Sequence, residues 1–240
     1  MNGNIHSVTS CSTVDGPGIR YVVFMQGCNL KCKYCHNPDT WNLSIENIIE
    51  EDKLVEKILR CKEYINSSNG GVTFSGGEPL LQIEFLLRVC KKLKENNIHI
   101  SIDTAGNIDI TDKLKELLGY VDLVLLDIKE VGREKHFKLT GSYNDKIMIF
   151  LKYLNSINKS IWIRSVYIPG VTNPLDLCNN DDIKQIKSVQ KVEVLPYHEL
   201  GKYKWEELGL KYELNNILIP TKEECGSLSN KIMEYIKYNI

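Results

Sequence analysis

Apolar runs of strand length alternate along the chain with stretches whose apolar positions recur at helical spacing. Arg20 to Gln26 predicts a first strand. Gly71 to Ser75, Ile98 to Asp103, Val121 to Ile128, Ile161 to Ile168 and Lys191 to Pro196 predict five more. Ser44 to Ile65 predicts a helix with Leu54, Ile58, Cys61 and Ile65 on one side, and Gln82 to Asn96 another with Phe85, Leu86, Val89 and Leu93 on one face. Thr111 to Leu118, Asp145 to Ile157 and Asp181 to Val189 read as further helices. A last helix starts at Thr221, where Glu224 three residues on completes a capping-box pattern and Cys225, Leu228, Ile232 and Ile236 share a side.

Six strand–helix units with near-continuous apolar strands imply a parallel sheet covered by helices. Six is fewer than the eight of a closed barrel, so the expected fold is α/β, a partial, TIM-like (β/α)6 barrel open on one side. No linker, repeat or composition shift divides it, and residues 1–240 are expected to form a single domain. In such folds the chemistry gathers at the C-terminal ends of the strands. The unusual residues fall at such ends: Gly27-Cys28, Gly76-Gly77-Glu78, Asp103, Asp127 to Lys129, Arg164 and His198.

Bulk properties narrow the setting. The formal net charge of −1 offers no bulk electrostatic grip on nucleic acid or anionic lipid, so neither is expected as a partner. Met1 to Val8 is short and polar and lacks the pattern of a signal peptide. No apolar run approaches the roughly 20 residues needed to cross a bilayer. A cytoplasmic location is expected, where the eight cysteines stay reduced.

Three of those cysteines, Cys28, Cys32 and Cys35, fall within one short segment after the first strand. Polar neighbours Asn29, Lys31 and Lys33 do not read as core. A loop of this spacing can wrap three thiolates around one centre, either zinc or an iron–sulfur cluster. A closed zinc site needs four ligands. The nearest fourth, His36, adjoins Cys35 and would bend awkwardly back to the same ion, and no second Cys-x-x-Cys pair exists. A 4Fe–4S cluster usually takes four cysteines. With three, one iron keeps an open position for a chelating substrate, as catalytic metals do. Cys61, Cys90 and Cys225 read as core or boundary residues, Cys178 lies in a polar loop, and Cys11 is assigned no role.

The Cys-x3-Cys-x2-Cys spacing with Tyr34 before the third cysteine resembles the radical S-adenosylmethionine superfamily. Phe74-Ser75-Gly76-Gly77-Glu78-Pro79 matches its second motif. Within it, the chain resembles the family of pyruvate formate-lyase activating enzymes along nearly all its length. Matching stretches include Thr13 to Arg20, Tyr34 to Trp41, Leu126 to Lys129, Trp162 to Arg164 and the long run Leu195 to Trp205. The resemblance implies a 4Fe–4S cluster on Cys28, Cys32 and Cys35, with S-adenosylmethionine chelating the open iron. Flavodoxin or ferredoxin would supply the electron. Reductive cleavage would give methionine and a 5′-deoxyadenosyl radical, which takes a hydrogen atom from a glycine of pyruvate formate-lyase or a related glycyl radical enzyme.

Each remaining candidate has a plain reading beside a functional one. Gly76-Gly77 suits a tight turn; it also lets backbone approach a ligand without Cβ interference, with Glu78 orienting the loop. Lys129 beside Asp127 reads as a structural ion pair or, with Ile128, as part of the S-adenosylmethionine site. Arg164 can clamp a carboxylate bidentately. His198, Tyr34, Cys35 and His36 are placed by the resemblance around the adenosine. Asp103, Thr104 and Asp127 carry oxygens suited to a hard cation, for which the family implies a monovalent ion; helix capping is the plain alternative. Asp15-Gly16 belongs to a rigid turn that the resemblance sets against the partner's glycine loop. At Asp103-Thr104-Ala105-Gly106 the chain has Ala where relatives commonly have Asn. The competing functions are an activase of another glycyl radical enzyme and, from a different class, a zinc-binding or scaffold protein that keeps the fold.

Overall fold

The computed structural model describes residues 1–43 and 47–238. The chain divides into two compact units: residues 1–29, 40–104 and 108–125 in one, and residues 30–39, 105–107 and 126–240 in the other.

The first unit holds β1 (Asn2–Ser12), β2 (Arg20–Met25), β3 (Ile48–Glu50), α1 (Glu51–Leu59), α2 (Lys62–Ser67), β4 (Gly71–Gly76), α3 (Ile83–Glu95), β5 (Ile100–Thr104), α4 (Asp112–Tyr120) and the start of β6 (Leu123–Asp127). Its strands follow the order β3-β1-β2-β4-β5. β2, β4 and β5 pair in parallel, with Val22 opposite Thr73 and Phe74 opposite Ile102. Val22, Val23, Met25, Val72 and Phe74 have no exposed surface, as expected of a parallel strand covered on both faces. Leu86, Val89 and Leu93 of α3 and Leu114 and Leu117 of α4 complete this core.

The second unit holds the end of β6, then α5 (Arg133–Thr140), α6 (Asp145–Ser156), β7 (Ile161–Tyr167), α7 (Asp181–Lys184), β8 (Val189–Pro196), α8 (Lys202–Glu207) and α9 (Lys222–Tyr238). β7 and β8 are parallel, with Arg164 opposite Glu193. Phe150, Leu151 and Leu154 of α6 and Ile232 and Ile236 of α9 are buried. The capping box of α9 is reciprocal: the Glu224 amide donates to Thr221 Oγ1 at 3.1 Å and the Thr221 amide to Glu224 Oε2 at 2.7 Å.

The six predicted strands are all present, and two elements add to them. β1 is polar and runs antiparallel to β2, Ile5 opposite Met25 and Ser12 opposite Arg20. β3 pairs antiparallel with β1, Gly3 opposite Ile49. That pairing corrects the helix expected over 44–65: Ile48–Glu50 is strand, the helix begins at Glu51, and α1 and α2 are separate elements. Ser44, Ile45 and Glu46 lie outside the described residues. The helix expected over 181–189 ends at Lys184, because Val189 already pairs with Ile161 in the sheet. α5 and α8 were not expected.

Arg20 opens β2 and is wholly buried. Its Nε donates to Thr73 Oγ1 at 2.9 Å, and its Nη2 donates to Ser101 Oγ at 2.8 Å and to the Val72 carbonyl. Burial pushes its pKa down to about 10. Nη1 lies 3.1 Å from His99 Nδ1; a guanidinium only donates, so His99 accepts with a neutral ring. Burial and the Arg20 charge hold the His99 pKa below its ordinary value. The unfolded ring takes up its proton near pH 6.5. The folded ring refuses it until lower pH. The unfolded state therefore binds more protons between the two values, and stability falls as pH drops through that window. Denaturant titrations should show a midpoint that declines below about pH 6.5, and His99→Asn, which keeps an acceptor for Arg20, should decline less steeply. Equal slopes for both proteins would remove His99 as the source.

Candidate active site

The Gly76-Gly77-Glu78 loop leaves β4 and turns against the residues that leave β2. The Gly77 amide donates to the Met25 carbonyl at 3.0 Å and the Glu78 amide to the Gly27 carbonyl at 2.8 Å. The approach excludes side chains. A Cβ on Gly77 would lie 2.1 Å from the Gly27 carbonyl oxygen and 3.3 Å from Cys28 Cβ, and one on Gly76 (φ 104°) 2.3 Å from the Met25 nitrogen. Glu78 is 1% exposed. Its Oε1 accepts from Thr104 Oγ1 at 2.6 Å and from the Leu80 amide at 3.1 Å. Ser75 Oγ donates to Asp103 Oδ2 at 2.7 Å. Thus the first unit brings together Cys28, the Gly-Gly-Glu loop, Asp103 and Thr104. Thr104 is the partner of Glu78, a pairing not expected from the residue order.

Asp15 and Gly16 lie before β2. Asp15 Oδ2 accepts from Ser12 Oγ, and its carbonyl accepts from Thr73 Oγ1 at 2.6 Å. A Cβ on Gly18 (φ 64°) would meet the Ser68 carbonyl at 2.5 Å, so the turn is fixed by contact as well as by its own residues.

The second unit carries Cys32, Tyr34, Cys35 and His36. The Cys35 amide donates to the Cys32 carbonyl at 3.0 Å. Downstream, the run Leu195 to Trp205 grips this segment. Trp205 Nε1 donates to the Cys35 carbonyl at 2.8 Å. Lys204 Nζ donates to Asn37 Oδ1 at 2.8 Å and to Asp39 Oδ2 at 2.9 Å. Gly201 passes so close that a Cβ would lie 2.5 Å from His36 Cα. The His36 and His198 rings stack at 3.8 Å, 13° from parallel, and His36 Nε2 donates to the His198 carbonyl at 3.0 Å. Burial lowers both histidine pKa values, and the facing ring adds to the effect at His36. The stacked pair is therefore held neutral.

Lys129 Nζ bonds Asp127 Oδ2 at 2.8 Å and sits 5.7 Å from the Tyr34 ring centroid. Burial opposes its charge, but Asp127, Tyr34 and Cys32 outweigh burial and hold its pKa well above the ordinary value. Burial pushes the Tyr34 phenol up. Arg164 is buried, and its Nε donates to Glu193 Oε2 at 2.9 Å, a partner on the neighbouring strand that the sequence reading missed. The Ile128 amide donates to the Arg164 carbonyl at 2.8 Å.

The thiols of Cys28, Cys32 and Cys35 are the donor type that an iron–sulfur cluster takes. Among the described residues no three His, Cys, Asp or Glu side chains are grouped as a metal site, so the fit to such a cluster rests on this donor chemistry. A family model described as a 4Fe-4S single cluster domain matches residues 14–148. The chain is 44% identical over 243 residues to the pyruvate formate-lyase-activating enzyme of Listeria monocytogenes serovar 1/2a, covering 98% of each. The chain belongs to the family of pyruvate formate-lyase-activating enzymes. Among solved structures, SuiB of Streptococcus suis bound to its precursor peptide SuiA covers 93% of this chain and 47% of its own, with a TM-score of 0.69 at 20% identity. Coproporphyrinogen III oxidase (HemN) from Escherichia coli, a radical SAM enzyme, covers 92% and 52% with a TM-score of 0.55 at 15% identity. These two share the fold: an α/β, mostly parallel sheet alternating with helices, the partial barrel that the strand count predicted. Family membership accounts for the long Leu195 to Trp205 match, in which Gly201 and Trp205 meet the backbone of His36 and Cys35 and Lys204 meets the side chains of Asn37 and Asp39. Gly201 and Trp205, four residues apart in that otherwise polar run, were the signal for those contacts.

Two glycines test how tightly the loops are set. Gly77→Ala should destabilise by about 1–3 kcal/mol, since its Cβ meets backbone that cannot rotate away. Gly119→Ala, in α4 with nothing within 4 Å of its Cβ, should stabilise by up to about 1 kcal/mol. Denaturant midpoints of the two variants should move in opposite directions.

Proposed function

We propose that this protein activates pyruvate formate-lyase by generating a radical on one of its glycines. The full-length match to activating enzymes carries this reading. Held by Cys28, Cys32 and Cys35, a reduced 4Fe–4S cluster would supply the one-electron reduction that cleaves the C5′–S bond of S-adenosylmethionine to methionine and a 5′-deoxyadenosyl radical, the species that would take the glycine hydrogen atom and leave as 5′-deoxyadenosine.

The chain's residues bind and orient. Cys28, Cys32 and Cys35 are the proposed cluster ligands. Backbone carbonyls of Gly76-Gly77 would receive the methionine ammonium, with Glu78 fixing the loop through Thr104 and the Leu80 amide. Lys129 would meet a carboxylate or ribose oxygen. Asp127 and Ile128 complete that strand end. Arg164 lies in the middle of β7 and not at its end as expected, already paired with Glu193, and is proposed to contribute to the same cofactor site. Tyr34, Cys35, His36 and His198 would hold the adenosine, the neutral stacked imidazoles offering an uncharged face. Asp103, Thr104 and Asp127 are the proposed oxygens for a monovalent cation, and Asp15-Gly16 the proposed contact for the partner's glycine loop. The electron donor is proposed to be flavodoxin or ferredoxin and the location cytoplasmic. Among the described residues no helix is long and apolar enough to cross a membrane. Residues 1–240 are proposed to work as one radical S-adenosylmethionine domain.

Anaerobic reconstitution followed by EPR tests this. Protein, S-adenosylmethionine, a reductant and pyruvate formate-lyase together should yield a glycyl radical doublet that vanishes when any one is omitted. A cluster signal altered by S-adenosylmethionine without a doublet would redirect the proposal to another glycyl radical enzyme, and zinc without iron or sulfide would overturn it. Cys32→Ser should lose the iron. Glu78→Ala and Lys129→Ala should keep it while the S-adenosylmethionine concentration needed for half-maximal turnover rises; unchanged turnover at low cofactor would count against both residues.

A further inference from the structure

α5 ends in a left-handed turn at Gly141 (φ 76°), whose amide bonds the Phe137 carbonyl at 2.8 Å. The last carbonyls of a helix have no donor inside it. Here two of them find donors in the segment that carries Cys32. The Lys31 amide donates to the Thr140 carbonyl at 2.7 Å and the Lys33 amide to the Leu139 carbonyl at 3.0 Å. Cys32 is thus flanked on both sides by backbone bonded to one helix end. Two consecutive carbonyls holding the residues before and after a cysteine leave its Cα little freedom, and with it the direction of its Sγ.

The helix end is itself fixed by a side-chain network. His136 is wholly buried. Its Nδ1 lies 2.7 Å from the Ser142 carbonyl. A carbonyl only accepts, so Nδ1 bears the proton and donates. Thr140 Oγ1 donates to the His136 carbonyl at 2.9 Å and accepts from the Ser142 amide at 3.3 Å. Asn107 Nδ2 donates to Ser142 Oγ at 3.1 Å. The Ser142 carbonyl also accepts from Thr140 Oγ1 at 3.1 Å, so without the His136 donor it keeps only the longer of its two links to the helix, and the turn that presents the Leu139 and Thr140 carbonyls loosens.

We infer that the α5 end is the seat of the cluster-bearing loop and that His136 is its positioning residue, acting through Ser142 and the Leu139 and Thr140 carbonyls on Lys31, Cys32 and Lys33. This rests on the proposed role of Cys32 as a cluster ligand. Residues that orient a metal ligand from outside its coordination sphere commonly change metal affinity by about 10- to 100-fold when replaced. Removing the His136 donor should act on that scale although the ring is far along the chain from any cysteine.

The test compares three variants by two readouts. His136→Asn can keep a donor near the Nδ1 position; His136→Phe keeps bulk and removes the donor; Thr140→Ala removes the hydroxyl and leaves the ring. Hydrogen exchange at the Lys31 and Lys33 amides needs no metal. It should accelerate about tenfold in His136→Phe and in Thr140→Ala, as for loss of a buried hydrogen bond, and stay near wild type in His136→Asn. Iron loss from reconstituted protein to a chelator should quicken about tenfold in the same two variants. Wild-type exchange and wild-type iron retention in both would overturn the inference. Should His136→Phe fail to fold, Thr140→Ala decides by the same measurements. A wild-type chain that takes up no iron would instead sink the cluster reading, and the amide exchange would then judge the seat by itself.

Discussion

The Gly76-Gly77 backbone passes so close to Met25 at the end of β2 and to Gly27 beyond it that no side chain fits at either glycine. Much of the chemistry proposed for the first unit depends on that contact. It can form only because β2 and β4 are parallel neighbours in register, Met25 opposite Gly76. Both strands then release their chains at the same edge, where the loop amides find carbonyls: Gly77 on Met25 and Glu78 on Gly27. A parallel sheet thus converts strand order into a meeting of two motifs that lie far apart in the sequence. Glu78 is buried and satisfied in this arrangement, so its role begins as a structural one: a carboxylate that ties the loop to Thr104 at the end of the next strand.

The second unit reaches the same end by other means. Here the segment from Lys31 to Asp39 has no strand of its own to fix it. It borrows partners from elements far along the chain: the carbonyls of α5 on one side of Cys32, and Trp205, Lys204 and Gly201 around Cys35 to Asp39. Most of these contacts are to backbone. Backbone anchoring sets where a cysteine sits without constraining which ligand it takes, while leaving side chains such as Tyr34 and His36 to be used for recognition.

The parts legible in the sequence were those written in side-chain chemistry. The six predicted strands were readable, β2, β4 and β6 because buried strands are largely apolar, and α3 and α9 because their buried faces recur at helical spacing. What escaped was held by backbone or by polar pairs. β1 reads as polar and exposed, yet it pairs along β2 through main-chain bonds that leave no hydrophobic signature. β3 is too short to show a period. α5 carries His136, Thr140 and lysines where an amphipathic helix would show an apolar stripe, because its end serves a loop and not the core. Glu193 gave no sign of being the partner of Arg164, since two strands twenty-nine residues apart become neighbours only in the sheet. The candidate site followed the same division: its cysteines and glycines announced themselves, and the residues that position them did not.

Lys129 shows why a lysine suits its position better than an arginine would. Its ammonium is mostly buried, and losing Asp127 would leave an uncompensated charge, which typically costs about 3–5 kcal/mol. The pair is therefore structurally necessary as it stands. Yet an ammonium has three donors, and Asp127 takes one. A guanidinium would tend to close on the carboxylate bidentately, with its planar fork committed to that geometry. A compact, rotatable ammonium keeps the ion pair while turning its remaining donors toward an incoming oxygen. The high pKa, held up by the Asp127 carboxylate against burial, keeps the ammonium protonated across the physiological range, so ligand binding at this strand end need not wait on a proton. In the proposed function that matters twice: an anionic group of S-adenosylmethionine would meet a charge already in place, and the energy that keeps the charge buried is supplied by folding, before any cofactor arrives.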